Sequence, residues 1–531
     1  MQKLLLLGNE AVARGAIDGG LSGIYAYPGT PSTEIMEYIQ KSKEAVERSI
    51  QREWSTNEKT AMEAALGMAY AGKRSMVCMK HVGLNVAADP FINAAITGVN
   101  GGLIVAVADD PSMHSSQNEQ DSRFYGKFAK IPILEPSNQQ EAYYMAYKGF
   151  ELSEKYKIPV LLRLTTRLSH SRTGVKRLPV KKQNDLVLPE DPKQFVLLPS
   201  IARIRFKQLL SNQSNFHEES EISEFNQFFD GQDKSLGIIA CGIGYNYLME
   251  NYPDRTVNHP VLKLSQFPLP RNLINKITSE CQEILVLEEG FPFVEEMLKC
   301  FQEKVAPVKG RLSGDIPRDG ELTPDIVGKA LGIEQKRSIS VPEIVKERPP
   351  SMCKGCGHID VFNALIEALG DKLEGRIFSD IGCYTLAALP PFNAINSCVN
   401  MGASVTMAVG AADAGLFPSV AVIGDSTFTH SGITGLLDAV IKNSPITLII
   451  SDNYATGMTG GQKSSATGRL FSICEGIGVE PNHLRKIEPL KKYHNENVEV
   501  LRNEFDYRGV SVILAERECI QVAAKRHRMK R

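Results

Sequence analysis

The stretch from Gly424 to Asn453 constrains this chain more than any other part of it. Gly424-Asp425-Ser426 follows a short apolar run, Ser419-Val420-Ala421-Val422-Ile423, of the kind that makes a buried parallel strand. Ser431 to Ile441 then has helical apolar spacing. A second apolar run, Ile446-Thr447-Leu448-Ile449-Ile450, delivers Asp452-Asn453 at its end. The pattern predicts a βαβ unit whose two strand tips lie on one edge of a parallel sheet, the edge where open α/β sheets bind ligands. A carboxylate and an amide oxygen converging there suit a hard divalent cation that carries a diphosphate. The plainer reading is an ordinary strand end with solvated polar residues.

With 531 residues the chain has room for three or more domains. Residues 1–180 alternate helical and strand patterns, with strands expected at 102–107 and 159–162. A helix is expected after Thr30, with Pro31 at its first position, where a missing N–H costs nothing. Residues 181–234 are polar, contain Ser211-Asn212-Gln213-Ser214-Asn215, and read as a linker or surface excursion. Strands at 236–240 and 283–287 mark a small α/β unit spanning 235–332. The charged stretch 333–350, ending in Pro349-Pro350, reads as a second linker before the unit 351–531. The expected architecture is three α/β units, two long ones flanking a small one.

Apolar and charged fractions of 43% and 23% are those of a soluble globular protein. Sixty basic against 61 acidic side chains create no field to attract nucleic acid or a membrane. The N-terminal run Leu4-Leu5-Leu6-Leu7 is too short for a signal peptide. The longest uncharged stretch, Ile381 to Ala412, is broken by Pro390-Pro391, Asn393 and Asn396, so it does not read as a membrane span. A cytoplasmic protein is expected.

Ten cysteines in a chain of this length do not suggest a disulfide framework. Cys353-Lys354-Gly355-Cys356-Gly357-His358 sets two thiols on a tight turn. Cys383 follows the strand-like Arg376-Ile377-Phe378-Ser379, and Cys519 follows a last strand, Val510-Ser511-Val512-Ile513-Leu514. Four thiolates match the ligand count of a [4Fe–4S] cluster or of an all-cysteine zinc site, and spacing alone leaves both open. Cys78, Cys241, Cys281, Cys300, Cys398 and Cys474 read as core thiols, and His358 as readily as a surface residue.

Gly-Asp-Ser followed at this interval by Asn resembles the thiamine diphosphate motif, with Ser426 where glycine is usual. Further motifs point the same way. Gly8-Asn9-Glu10-Ala11, Tyr27-Pro28-Gly29-Thr30-Pro31-Ser32, Met79-Lys80-His81-Val82-Gly83-Leu84-Asn85 and the run His114 to Arg123 fall in the first unit. Arg348-Pro349-Pro350, Cys353-x-x-Cys356, Asp380-Ile381-Gly382-Cys383-Tyr384-Thr385-Leu386, Gly424 to Phe428 and Met458-Thr459-Gly460-Gly461-Gln462 fall in the last. Through nearly its whole length the chain resembles the large subunits of indolepyruvate ferredoxin oxidoreductases, members of the 2-oxoacid:ferredoxin oxidoreductases.

That resemblance implies two thiamine diphosphate-binding-fold domains with a smaller transketolase-C-terminal-like domain between them. It implies oxidative decarboxylation of an aryl 2-oxoacid to acyl-CoA and CO2, with electrons passing to ferredoxin. Asp425, Asn453 and the carbonyl of Ala455 would hold Mg2+, and the turn Gly424-Asp425-Ser426 the diphosphate. Glu58, opening the helical stretch 58–69, is the candidate for the carboxylate beside the cofactor pyrimidine, with Glu53 and Glu63 as competitors. Thr30 matches a position that binds the 2-oxoacid carboxylate in relatives. Arg123, Lys80, His81 and His114 are candidate pocket residues, each equally readable as a structural turn residue. Cys353, Cys356, Cys383 and Cys519 would hold one [4Fe–4S] cluster, because oxidation needs a one-electron acceptor and zinc is redox-inert. A homodimer with a smaller partner subunit on the coenzyme A side is also implied.

The family's large subunit usually continues into a ferredoxin-like domain, whereas here the basic run Lys525 to Arg531 follows Cys519. A separate ferredoxin-like acceptor is therefore expected, with the basic run as a solvated end or a dock for an acidic carrier. A non-oxidative thiamine decarboxylase or carboligase, with zinc or nothing on the cysteines, stays compatible with the residues, whereas the intact set Glu58, Asp425 and Asn453 argues against a non-catalytic scaffold. Phenylpyruvate, hydroxyphenylpyruvate, indolepyruvate and branched-chain acids all remain open as substrates.

Overall fold

The computed structural model describes residues 3–301, 306–333, 341–346 and 350–529. The chain divides into two compact units, Met1–Ser340 and Val341–Arg531.

In the second unit the two apolar runs become central strands. Ser419–Gly424 and Ile446–Asp452 are buried along their whole length and pair in parallel, from Ser419 opposite Ile446 to Gly424 opposite Ser451. Burial on both faces is why these runs do not alternate with polar residues. The six-stranded sheet has the order Ser397–Cys398, Ile377–Ser379, Ser419–Gly424, Ile446–Asp452, Ser511–Glu516, Leu484–Ile487. Every pair in it is parallel. From Ile377–Ser379 the chain passes to one edge, and from Ser419–Gly424 toward the other. Their C-terminal ends therefore flank a topological switch point, the crevice where such sheets take ligands. The helix expected from Ser431 begins at Ile433, because a π-helical turn, Phe428–Gly432, precedes it.

The first unit holds a seven-stranded sheet ordered Gln266–Phe267, Ile133–Leu134, Val160–Thr165, Leu103–Asp109, Ser75–Lys80, Gly23–Ala26, Gln51–Trp54. The chain leaves Gly23–Ala26 outward to Gln51–Trp54, then returns across it to Ser75–Lys80. This second switch point opens between the ends of Gly23–Ala26 and Ser75–Lys80. The returning segment is the helix Glu58–Tyr70, whose residues Ala61, Met62, Ala65 and Ala69 face inward. The Asn57 side chain caps it by accepting the Thr60 N–H at 2.9 Å, a bond worth about 1 kcal/mol.

Three expectations are corrected. The helix after Thr30 is Thr33–Lys41 with Ser32 ahead of it, so Pro31 lies in the preceding turn. Residues 181–234 are more than a linker. They contain the helices Pro199–Ser211 and Gln213–Glu221, and the strand Gln227–Phe229, which pairs antiparallel with Val261–Leu264 at the edge of a five-stranded sheet. The small α/β region is not a body of its own either. Ile238, Ala240 and Leu285 share one apolar core with Ile17, Tyr143 and Leu162, and Gln266–Phe267 extends the seven-stranded sheet. Of the expected second linker, 334–340 and 347–349 lie outside the described residues, Arg348 and Pro349 among them. The basic run is helical through Met529 in Ile520–Met529, with Lys530 and Arg531 outside the described residues. Among the described residues no helix is long and apolar enough to cross a membrane.

Candidate active site

In the second unit, Asp425 opens a single helical turn directly after Ser419–Gly424. It is buried, and its Oδ2 has no hydrogen-bond partner among the described residues. Burial, and then the charge of Asp452, push Asp425 up to about 7. Asp452, the last residue of its strand, is pushed up to about 6, again by burial first, with Glu516 adding to it. Two buried carboxylates facing one another cannot both be charged without a cation between or beside them. The sequence placed Asp452 only as a strand end, and its coupling to Asp425 shows first in the structure.

Asn453 follows at once. Its Oδ1 accepts the Ala455 N–H at 3.1 Å, its Nδ2 faces His358 Nε2 at 3.3 Å, and its carbonyl accepts the Cys519 N–H at 3.0 Å. The Ser426 hydroxyl meets that of Thr456 at 3.0 Å. Gly424 is required by space: a Cβ there would lie 2.7 Å from the Tyr384 ring. The Tyr384 hydroxyl donates to Asp380, which also accepts from Ser404 Oγ at 2.6 Å and the Gly402 N–H at 3.2 Å. The turn Asp380-Ile381-Gly382-Cys383 is thereby fastened to the Gly424 side of the crevice.

Cys353, Cys356, Cys383 and Cys519 line one cavity of about 430 Å³, together with His358 and Asn453. Burial raises the Cys356 thiol, with Cys353 and Cys519 adding to it. Burial pushes Cys383 up to about 11, with the other three cysteines adding to it. The four sulfur side chains thus share one cavity, a soft donor set of the type that binds a thiophilic metal centre once deprotonated. Among the described residues, no group of three or more His, Cys, Asp or Glu side chains is already spaced to hold a metal ion. His358, read from sequence as readily as a surface residue, is buried.

The first unit carries the other candidates at its own switch point. The turn Tyr27 to Ser32 is anchored by Asn9, whose Nδ2 donates to Pro31 O at 2.6 Å and to Glu34 at 2.8 Å. Ser32 Oγ donates to Gly29 O at 2.8 Å and closes the turn. Thr30 is half-buried, and its carbonyl accepts from Ser115 Oγ at 3.2 Å. Lys80 Nζ donates to Ser115 O at 2.8 Å. Burial pulls Lys80 below its ordinary range, with Asp110 and Glu58 pulling it back. His81 is buried, its Nε2 lies 3.1 Å from Asn118 O, and its Nδ1 has no hydrogen-bond partner among the described residues.

Glu58 is buried at the first position of its helix, and a Cβ on Gly83 would lie 2.6 Å from its carboxylate. Its competitors are exposed: Glu53 on the edge strand, and Glu63 paired with Lys59. His114 is exposed on its loop, 3.5 Å from Glu321. Arg123 does not belong to the substrate pocket. It is fully buried, and donates to Asp121, to Glu288 at 2.9 Å, and to the carbonyls of Glu289 and Phe291 at 3.0 Å each. Its donors are spent holding two parts of the first unit together.

Residues 14–227 match the family model "Pyruvate flavodoxin/ferredoxin oxidoreductase, thiamine diP-bdg", and residues 380–492 match "Thiamine pyrophosphate enzyme, C-terminal TPP binding domain". The indolepyruvate oxidoreductase subunit IorA of Archaeoglobus fulgidus is 40% identical, over 98% of this chain and 86% of its own length. The chain belongs to the IorA family of indolepyruvate oxidoreductase subunits. The IorA of Methanothermobacter thermautotrophicus is 41% identical over 98% of this chain and 87% of its own length. The IorA of Pyrococcus abyssi is 38% identical over 98% and 86%. A solved 2-oxoglutarate:ferredoxin oxidoreductase from Magnetococcus marinus, with 2-oxoglutarate, coenzyme A and succinyl-CoA bound, has the same kind of fold. It matches at TM-score 0.51 and 17% identity, over 62% of this chain and 65% of that one. The two switch points thus lie in two thiamine diphosphate-binding domains of the IorA family, each built on a largely parallel sheet with flanking helices.

Proposed function

We propose that this chain is the thiamine diphosphate-binding subunit of an oxidoreductase for aryl 2-oxoacids of the indolepyruvate type. Its products are acyl-CoA and CO2, and its electrons pass to ferredoxin. The observation that carries the reading is the buried Asp425–Asp452 pair with an unpartnered Asp425 oxygen at a switch point, in a chain of the IorA family. A buried carboxylate pair of this kind, which a cation would let ionise fully, fits a divalent metal ion.

Thiamine diphosphate, when bound, would supply the electron-sink chemistry that decarboxylation of a 2-oxoacid needs. Asp425, the Asn453 amide oxygen and the Ala455 carbonyl hold its Mg2+, and the turn Gly424-Asp425-Ser426 offers N–H groups to the diphosphate. Glu58 holds and exchanges a proton with the pyrimidine N1′. Its burial supports that role over Glu53 and Glu63, which stand exposed. Thr30 and Lys80 bind the substrate carboxylate, and His81, which donates from Nε2 to the Asn118 carbonyl, stands beside them as a pocket residue. Cys353, Cys356, Cys383 and Cys519 hold one [4Fe–4S] centre, which supplies one-electron acceptor chemistry. The cavity brings the four cysteines together, and the need for a one-electron acceptor favours the cluster over zinc, which is redox-inert. The working assembly is a homodimer of this chain with a smaller subunit on the coenzyme A side.

The test is anaerobic turnover with indolepyruvate, coenzyme A and ferredoxin. The reading expects acyl-CoA with reduced ferredoxin. Release of the aldehyde without reduction would instead make the chain a non-oxidative decarboxylase.

A further inference from the structure

Two interactions meet at the Asn453 carboxamide, and together they fix which way it points. The Ala455 N–H can only donate, so the atom 3.1 Å from it is the amide oxygen. The amide nitrogen therefore faces His358 Nε2 at 3.3 Å. An amide nitrogen also only donates, so Nε2 accepts, and the ring proton sits on Nδ1. Nδ1 lies 2.7 Å from Ser451 Oγ, which accepts it. The ring itself is held from the side, with Tyr384 packed edge-on at 5.9 Å between centroids. Tyr384 in turn presses on Gly424, beside Asp425.

We infer that His358 is a positioning residue for the metal site: the chain Ser451–His358–Asn453 locks the carboxamide with its oxygen facing the cation. The inference rests on the reading above that Asn453 is a ligand of Mg2+. His358 touches neither the cation nor the substrate, and acts only through Asn453. The amide oxygen keeps a lone pair beyond its bond to Ala455, whereas a rotated amide would turn two N–H donors toward the cation. The same imidazole is the second residue after Cys356, at the start of the helix Gly357–Leu369. The cysteine turn and the cation ligand therefore share one support. Outer-sphere partners of this kind typically set metal affinity without entering the coordination sphere.

The test uses the full-length chain, purified anaerobically and stripped of thiamine, titrated with MgCl2 at saturating thiamine diphosphate by calorimetry. His358→Leu should weaken Mg2+-dependent cofactor binding by ~10–100-fold. His358→Gln, whose carboxamide can set an acceptor close to the position of Nε2, should recover most of that loss. Ser451→Ala, which frees the tautomer while keeping the ring, should fall between wild type and His358→Leu. Iron and sulfide content, and the melting midpoint of the stripped protein, should stay at the wild-type values. Wild-type affinity in His358→Leu and Ser451→Ala overturns the inference, as does a His358→Gln variant no better than His358→Leu. A wild-type chain that binds no thiamine diphosphate overturns the underlying reading instead, and the inference with it.

Discussion

Arg123→Met keeps the length and apolar stem of the side chain and removes its charge. Arg123 is fully buried, with Asp121 at 2.5 Å and Glu288 at 2.9 Å. Removing it leaves Glu288 without its ion-pair partner and Asp121 with only the more distant Arg163, at 3.5 Å, and breaking such a buried pair costs ~3–5 kcal/mol. The loss should grow with pH. Burial pushes Glu288 up to about 7 from an ordinary 4.5, even with Arg123 pulling it down. Between those values the unfolded chain has released the proton and the folded chain retains it, so stability falls as pH rises through the window. Without Arg123, Glu288 is pushed higher still, and the window widens upward. Trp54 is the only tryptophan and stands on a strand of the first unit, so its fluorescence during urea unfolding reports on that unit. The expected result is a lower midpoint in Arg123→Met, with a larger deficit at about pH 8 than at about pH 5.5, and an unchanged KM in the folded fraction. A wild-type midpoint with a raised KM for the 2-oxoacid would return Arg123 to the substrate pocket and refute this reasoning.

Glu58→Gln should still bind thiamine diphosphate but turn over ~10²–10⁴-fold more slowly; normal proton exchange at the cofactor C2 in that variant would transfer the role elsewhere. Asp425→Ala should lose cofactor retention on gel filtration, since the cation loses a carboxylate ligand, and full retention with normal turnover would break the metal assignment. Gly424→Ala should also weaken cofactor binding, because its Cβ would meet the Tyr384 ring at 2.7 Å. Unchanged affinity there would show that the ring moves aside freely.

Much of the site was legible because strand ends converge by rule. Buried runs before Asp425 and Asn453 predict parallel strands, and parallel strands bring their C-terminal residues to one edge. The same rule gathers Cys383 and Cys519, which follow Ile377–Ser379 and Ser511–Glu516 of one sheet. The misses share a physical cause. Arg123 bonds Glu288, a partner 165 positions away, and no local pattern encodes such a pairing. His358 reads as readily as a surface residue from its place beside a cysteine turn, and only its bonds to the strand end carrying Ser451 and Asn453 show it buried. The helices at 199–221 bury only Leu209, Phe216 and Ser220, so they leave almost no apolar period to read.

The measurement closest to the central claim is metal and cofactor analysis of anaerobically purified protein, alone and as Cys383→Ser. The account predicts about four iron atoms with matching sulfide per chain, thiamine diphosphate with Mg2+, and loss of iron in the variant while the cofactor stays. Stoichiometric zinc without iron, in protein that still oxidises its 2-oxoacid, would contradict it.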